Sequence, residues 1–264
     1  MKKLYVVGTG PGTETMITPE VEHAIAASSD LVAYGLYLDL LGTRLDGKTR
    51  HDRPLGEEIE RARLALELAA KGNTTALISS GDIGIFAMAT LVFELLERKQ
   101  HGDEEGHGWD EVEIEVMPGI SAMQLAAARM GAALGHDFCA ISLSDLLTPW
   151  ETIETRIRAA ALGDFVVSFY NPVSKKRDWQ LARAREILLE RRPAQTPVIL
   201  GRNLGRDDET VRLTTLGELR VEDVDMLTLV QVGSSATRAF NDGKRDWVYT
   251  PRGYARKLTL GDDT

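Results

Sequence analysis

The sequence predicts an α/β protein, and three observations carry that expectation. Short apolar runs, at residues 3–8 and 75–79, end in glycine-rich turns. Amphipathic helical stretches alternate with such runs. The alternation persists along the whole chain, which calls for largely parallel sheets with helices packed on their faces.

Residues 3–8 read as a buried strand running into Gly8. Thr18, Pro19 and Glu20 open a helix, with Thr18 as N-cap, Pro19 at the first helical position and Glu20 at the positive end of the dipole. Residues 31–34 form a second strand. Residues 57–71 are amphipathic, with Ile59, Ala62, Leu66 and Ala69 on one face and Gly72 as a stop. A third strand, 75–79, runs into Ser80-Gly81-Asp82, and residues 85–98 are helical. Residues 100–110 are polar and glycine-rich, a surface loop. Residues 111–117 alternate, with Val112, Ile114 and Val116 on one side and glutamates on the other. Pro118-Gly119 turns the chain, and Ser121-Ala122-Met123-Gln124 is a capping box for the next helix. Further strands fall at 139–143, 165–170, 198–201, 210–213 and 227–232. Helices open at Thr148-Pro149-Trp150-Glu151, a second capping box, and at Asp178. The break near Gly119 places domains at 1–118 and 119–250, with a tail at 251–264.

The 264 residues suffice for two modest domains, and 43% hydrophobic with 27% charged residues is globular composition. Residues 138–143, a long apolar run here, fall far short of the roughly 20 a membrane helix needs. The apolar stretch at residues 4–7 is too short for a signal peptide. With Cys139 alone there is no disulfide framework, so a cytoplasmic location is expected. Thirty-one basic against 40 acidic side chains give a net charge of −9, and no basic stripe offsets it. Such a surface repels nucleic acid.

Three stretches carry chemistry. Gly8-Thr9-Gly10-Pro11-Gly12 follows the first strand, where glycines let a ligand approach backbone N–H groups. A dinucleotide fingerprint would need glycine where Thr13 stands, Pro11 removes a donor, and Ala33-Tyr34-Gly35 lacks the acidic ribose partner. The second stretch, Ser79 to Phe86, also lies at a strand end. Its Gly81 and Gly84 permit close approach, and Asp82 either contacts a ligand or caps the following helix. The third is Met117-Pro118-Gly119-Ile120-Ser121-Ala122. No H-E-x-x-H, Walker A or G-x-S-x-G pattern is present.

In this order, G-x-G-P-G, S-G-D-x-G-x-F and P-G-I-S-A resemble the tetrapyrrole (class III) methyltransferases, which use S-adenosyl-L-methionine. The resemblance covers nearly the whole chain and is sharpened by residues 135–145, by Phe169-Tyr170-Asn171-Pro172 with Ser174 and Arg177, and by residues 247–254. It implies two α/β domains with a cofactor cleft between them, in a homodimer. It implies a polycarboxylate tetrapyrrole substrate and S-adenosyl-L-homocysteine as the spent donor. The expected reaction is methylation of a ring carbon of a corrin precursor, metal-free or cobalt-bearing, coupled to ring contraction. A methylase for another carbon and a non-catalytic binding module are the alternatives. Carried over residue by residue, the resemblance puts Pro11, Ser80, Gly81, Asp82, Ile85, Ser121, Ala122 and Asn171 against the cofactor. Asn203, Leu204, Val232 and Gly233 complete that pocket, and Gly10 and Gly12 border the substrate.

Methyl transfer from a sulfonium dissipates charge, so a dry site that fixes the reactants favours it. Ring contraction also moves protons. His136 with Asp137 is the candidate acid/base pair, unless His136 merely orders its loop. Tyr170 is a further donor, unless it only ends a buried strand. Cys139 reads as core. Arg50, His51 and Arg53 form one cationic cluster and Lys175, Lys176 and Arg177 another. Either suits substrate carboxylates or is a solvated turn. His101, Asp103, Glu104, Glu105 and His107 read as a loop, with no metal site expected.

Overall fold

The expected alternation is realised in a computed structural model that describes residues 2–175 and 177–254. The chain divides into two units, Met1–Ser121 and Ala122–Thr264. Lys176 and most of the expected tail, residues 255–264, lie outside the described residues.

The first unit runs β1 (Lys3–Gly8), α1 (Pro19–Ala27), β2 (Asp30–Ala33), α2 (Gly35–Asp39), β3 (Thr49–Asp52), α3 (Glu58–Ala70), β4 (Thr74–Ser79), α4 (Ala89–His101) and β5 (Glu113–Met117). Its sheet is parallel throughout, in the order β3-β2-β4-β1-β5. Leu4 and Val6 face a core built with α3 and α4, while Val7 faces another built with α1. Burial on both faces explains why β1 reads as a continuous apolar run. Thr18 caps α1 as expected, its hydroxyl accepting from Val21 N at 3.3 Å. Strand β5 keeps its alternation only in part. Val112 and Ile114 pack on the α3–α4 core, but Val116 is exposed and Met117 packs beside α1. The glutamate side is engaged rather than merely solvated, since Lys3 Nζ donates to Glu113 and Glu115.

The loop after α4 is anchored. Arg63 grips Glu104 through Nε at 2.9 Å and Nη2 at 3.0 Å, and Trp109 is buried beneath it. That pairing holds the Glu104 carboxyl below its ordinary range.

The second unit runs α5 (Ala122–Met130), β6 (Gly131–Ala132), β7 (Phe138–Ser142), α6 (Trp150–Leu162), β8 (Val166–Tyr170), α7 (Gln180–Leu189), β9 (Pro197–Arg202), β10 (Thr210–Thr215), β11 (Thr228–Val232), β12 (Arg238–Asn241) and β13 (Asp246–Tyr249). Its main sheet has the order β10-β9-β11-β8-β7. Here the expectation of largely parallel strands fails. Only β7 and β8 are parallel, while β11 is antiparallel to both β8 and β9, and β10 to β9. The connections from β9 to β10 and from β10 to β11 contain no α-helix, so those strands return antiparallel. Helices α6 and α7 cover one face of this sheet, through Ile153, Ile157, Leu181 and Ile187. The capping box expected at Thr148 is absent: Pro149 is the N-cap and no side chain caps the helix. Helix α7 likewise starts at Gln180 rather than Asp178. A smaller sheet, β12-β13-β6, completes the unit.

Glu154 ties α6 to α7 by accepting from Arg183 and Arg158. These hydrogen bonds, Arg183 first, lower its pKa from 4.5 to about 2. A depressed carboxylate pKa stabilises the fold above the unfolded value and loses that contribution as pH falls through the folded one. The Glu154 contribution is therefore expected to fade between pH 4.5 and 2. Thermal unfolding across that window should fall less steeply in Glu154→Gln than in the parent.

Candidate functional site

Strands β1 and β4 are neighbours, yet their outgoing connections diverge. The chain leaves β1 through α1 towards β2, and leaves β4 through α4 towards β5 on the other side. Such a divergence opens a crevice at the carboxyl ends of the strands, where α/β sheets bind ligands. Gly10 and Gly81 bridge the two loops there, with Gly10 N donating to Gly81 O at 3.1 Å and Gly81 N to Gly10 O at 2.7 Å. Thr9 N donates to Ser79 O, and Ser80 Oγ to Gly10 O. Gly10 and Gly81 both have positive φ, at 75° and 73°. A Cβ on Gly81 would meet nothing within 4 Å, so glycine serves the backbone there and leaves the space beside it open.

The loop after β5 joins this seam. Asp82 Oδ2 accepts from Gly119 N at 3.1 Å, and Asp82 Oδ1 from Gly84 N at 2.8 Å. Asp82 therefore does not cap α4. That helix starts at Ala89, not at Ile85, because the turn held by Asp82 and the positive φ of Phe86, 52°, stop helical backbone earlier. Phe86 is half exposed beside the seam. A bulky residue in left-handed backbone is strained, and such strain concentrates at functional sites. Pro11, Gly12, Ser80 and Ile85 sit in the β1 and β4 loops, and Ser121 ends the loop after β5. The first-unit residues expected at the cofactor are thus brought together. Arg50 is not an available cation: its guanidinium meets Asp39 and Asp52, which raise its pKa. Arg53, just past β3, donates to Asp52 O.

In the second unit the carboxyl ends of β8 and β9 face the same edge of the sheet. Tyr170 Oη accepts from Met123 N at 3.2 Å, tying the end of β8 to the start of α5, where Ala122 stands. Asn171 and Asn203 follow β8 and β9, both with positive φ, 50° and 47°. Asn171 Nδ2 donates to Ser142 Oγ, a contact the sequence did not suggest. Asn203 is buried and donates to Asp208 at 2.5 Å, while its Oδ1 meets no hydrogen-bond partner among the described residues. A buried acceptor left without a partner is costly, and a ligand N–H or O–H would relieve it. Leu204 lies buried beside it, packed on Gly201. Asn203→Ala removes the donation to Asp208 and sets alanine at a φ of 47°, so it is expected to lower the melting temperature, and to weaken binding of the expected spent donor S-adenosyl-L-homocysteine by roughly fivefold, about 1 kcal/mol. Thermal unfolding and calorimetry check the two parts.

Arg177 is buried, and its Nη1 donates to the carbonyls of Leu143 and Asn171. Burial lowers its pKa, partly offset by Asp145. This geometry makes Arg177 a positioning residue for Asn171 rather than a surface cation for substrate carboxylates. Arg177→Ala is expected to cost about 2–3 kcal/mol of stability and to weaken donor and tetrapyrrole binding alike. Selective loss of tetrapyrrole affinity would return it to the substrate.

The remaining residues separate by strand direction. Because β11 is antiparallel to β8, Val232 lies opposite Val167, so Val232 and Gly233 emerge at the edge away from Asn171. Gly233 is explained by its turn, since a Cβ there would lie 2.6 Å from Thr237 Cβ. His136 and Asp137 precede β7, at that same far edge, with Asp137 O accepting from Val166 N. Five strand residues, about 16 Å, separate them from Tyr170. The expected catalytic trio is therefore not one constellation within this unit. His136 Nδ1 faces both Asp137 N, at 2.7 Å, and Asp137 Oδ2, at 2.9 Å. The neutral ring with a bare Nδ1 accepts from the backbone, and the protonated ring pairs with the carboxylate. Both side chains are largely exposed and border a polar cavity of about 370 Å³ with Leu134, Gly135 and Arg252. Burial raises the pKa of the Cys139 thiol, which keeps it protonated in its packing role.

Comparisons with known proteins identify the family. Residues 3–220 match the family described as tetrapyrrole (corrin/porphyrin) methylases. A Sinorhizobium protein named precorrin-3B C(17)-methyltransferase is 49% identical over 253 residues, covering 96% of this chain and 97% of that protein. A Salmonella typhimurium protein named probable cobalt-factor III C(17)-methyltransferase is 45% identical, covering 95% of this chain and 99% of its own. The crystal structure of the methyltransferase CobJ matches with a TM-score of 0.86 at 43% identity, over 94% of this chain and 99% of that one.

Proposed function

The chain belongs to the tetrapyrrole (corrin/porphyrin) methylase family, and from that membership we propose that it methylates C17 of precorrin-3B with ring contraction to precorrin-4, in cobalamin biosynthesis. The observation that carries this reading is the 49% identity to a C17-methyltransferase along nearly the full length of both chains. Within the first unit, the seam at Gly10 and Gly81 supports it.

The residues present suit S-adenosyl-L-methionine as donor. The open space at Gly81 admits a ligand against backbone, and the unpartnered Asn203 Oδ1 accepts from an amino or hydroxyl group. When bound, the sulfonium supplies a methyl group for in-line displacement by an electron-rich ring carbon. In the first unit the residues assigned to the donor are Pro11, Ser80, Gly81, Asp82, Ile85 and Ser121; in the second, taken by itself, they are Ala122, Asn171, Asn203 and Leu204. Gly10 and Gly12 border the substrate, and Arg53 meets one of its carboxylates. Displacement of this kind needs no strong base, so these side chains work mainly by fixing the reacting atoms and excluding water. Tyr170, held at its oxygen by Met123 N, is the proton donor that precedes Asn171 at the end of β8. His136 and Asp137 serve the proton movements of contraction from a separate edge of their sheet, or order their loop.

Among the described residues no helix is long and apolar enough to cross a membrane. The reading includes a cytoplasmic homodimer that binds no nucleic acid, and sedimentation checks the oligomer. The cobalt-bearing substrate is the second reading, favoured by the 45% identity to the Salmonella relative. Calorimetry with S-adenosyl-L-homocysteine, with NAD in parallel, tests the donor site. One site per chain for the first ligand and none for NAD is expected. Binding of NAD alone would reverse the assignment.

A further inference from the structure

Arg61 stands in the first turn of α3, outside the site residues assigned above, and is 3% exposed. Its guanidinium reaches two loops. Nη2 donates to Pro54 O at 2.8 Å and to Arg53 O at 3.2 Å, in the loop after β3. Nη1 donates to Met88 Sδ at 3.5 Å, where the loop after β4 enters α4. That second loop carries Ser80, Gly81, Asp82 and Ile85. Strand β2 separates β3 from β4, so no ladder joins the two loops directly. Arg61 Nε is buried and meets no hydrogen-bond partner among the described residues. Glu58 offers a loose counter-ion, 3.9 Å from Nη1 and with its side chain 44% exposed. A buried cation so poorly compensated is costly, and apolar side chains of similar volume often replace such pairs without loss of stability. Packing alone therefore does not account for arginine at this place. A planar fork that grips two successive carbonyls and a third acceptor does.

The gripped carbonyls belong to the loop of Arg53. Arg53 N donates to Ala33 O at 3.0 Å, so with its carbonyl on Arg61 both backbone polar groups of Arg53 are held. The Arg53 guanidinium donates to Asp52 O and pairs with no carboxylate among the described residues. The strands of this sheet are parallel, so the loops after β3 and β4 leave by the same edge, two strand spacings or about 10 Å apart. We propose that Arg61 is a positioning residue for tetrapyrrole binding. It fixes the Arg53 backbone against the loop after β4, so that the Arg53 guanidinium meets a substrate carboxylate without first ordering its own loop. The proposal rests on the assignment of Arg53 to a substrate carboxylate made above, and it adds a residue that touches neither ligand.

The test uses the full chain with Arg61→Lys, Arg53→Ala and the double variant. Lysine keeps the charge and loses the fork. Methyl transfer gives kcat and the KM for precorrin-3B, and calorimetry gives S-adenosyl-L-homocysteine affinity. Arg61→Lys is expected to raise KM about fivefold, with kcat and S-adenosyl-L-homocysteine affinity within about twofold of the parent. In the Arg53→Ala background Arg61→Lys is expected to change KM by less than about twofold, because its effect passes through Arg53. An unchanged KM for Arg61→Lys would overturn the proposal, as would the same rise in both backgrounds. A fall in kcat and donor affinity as large as the rise in KM would also overturn it, by marking a role in the fold alone. Should the lysine variant not fold, Arg61→Met carries the same comparison, since it suits the apolar surroundings and lacks the donors. Arg53→Ala with the parent's KM would sink the Arg53 assignment and this proposal together, whereas a rise for Arg53→Ala with none for Arg61→Lys sinks the proposal alone. If the parent transfers no methyl group the methyltransferase reading fails, and precorrin-3B affinity takes the place of KM in the same cycle.

Discussion

Replacing Gly8 by alanine is expected to abolish measurable S-adenosyl-L-homocysteine binding and to cost about 1–3 kcal/mol of stability. Gly8 ends β1 where three loops converge. Its new Cβ would lie 2.6 Å from Gly81 O, 2.8 Å from Ile83 N and 2.9 Å from Gly119 N. All three are backbone atoms, so no side chain can turn aside to make room. Relief requires the β1 loop to move away from the β4 and β5 loops, which breaks the Gly10–Gly81 bridge. Thermal unfolding and calorimetry measure the two effects. A variant that melts lower yet binds normally would show that the seam supports the fold and not the ligand.

Asp82→Asn is expected to weaken S-adenosyl-L-homocysteine binding about tenfold, or roughly 1.4 kcal/mol, with a smaller loss of stability. The carboxylate accepts from Gly84 N with one oxygen and Gly119 N with the other. The amide presents an NH2 to one of those donors, so one hydrogen bond becomes a repulsive contact. Asp82→Ala should lose both and bind more weakly still. Equal binding by Asp82→Asn and the parent would mean that the link between the β4 and β5 loops is irrelevant to the ligand.

These two residues also show how much was legible in the sequence. A glycine at a strand end and an acidic residue in a glycine-rich turn marked the loops that meet in the structure, because close backbone approach leaves a compositional trace. The role of Asp82 was not legible, since its partner Gly119 is 37 residues away. The start of α4 was placed early for the same reason: apolar spacing continues through Ile85, while the turn at Asp82 and the backbone of Phe86 are set by tertiary contacts. In the second unit the strands were found but not their directions, because alternation is blind to direction. The resemblance carried Val232 and Gly233 to the same pocket as Asn203, whereas antiparallel pairing puts them at opposite edges. His136 and Tyr170, chosen for their side-chain chemistry alone, stand at opposite ends of the β7–β8 pair.

The most direct measurement supplies the purified protein with precorrin-3B and S-adenosyl-L-methionine carrying a 13C-labelled methyl group, and locates the label in the product by NMR. The account predicts one labelled methyl on C17 of a ring-contracted product. Label on another ring carbon, or a product methylated at C17 with its macrocycle uncontracted, would contradict it.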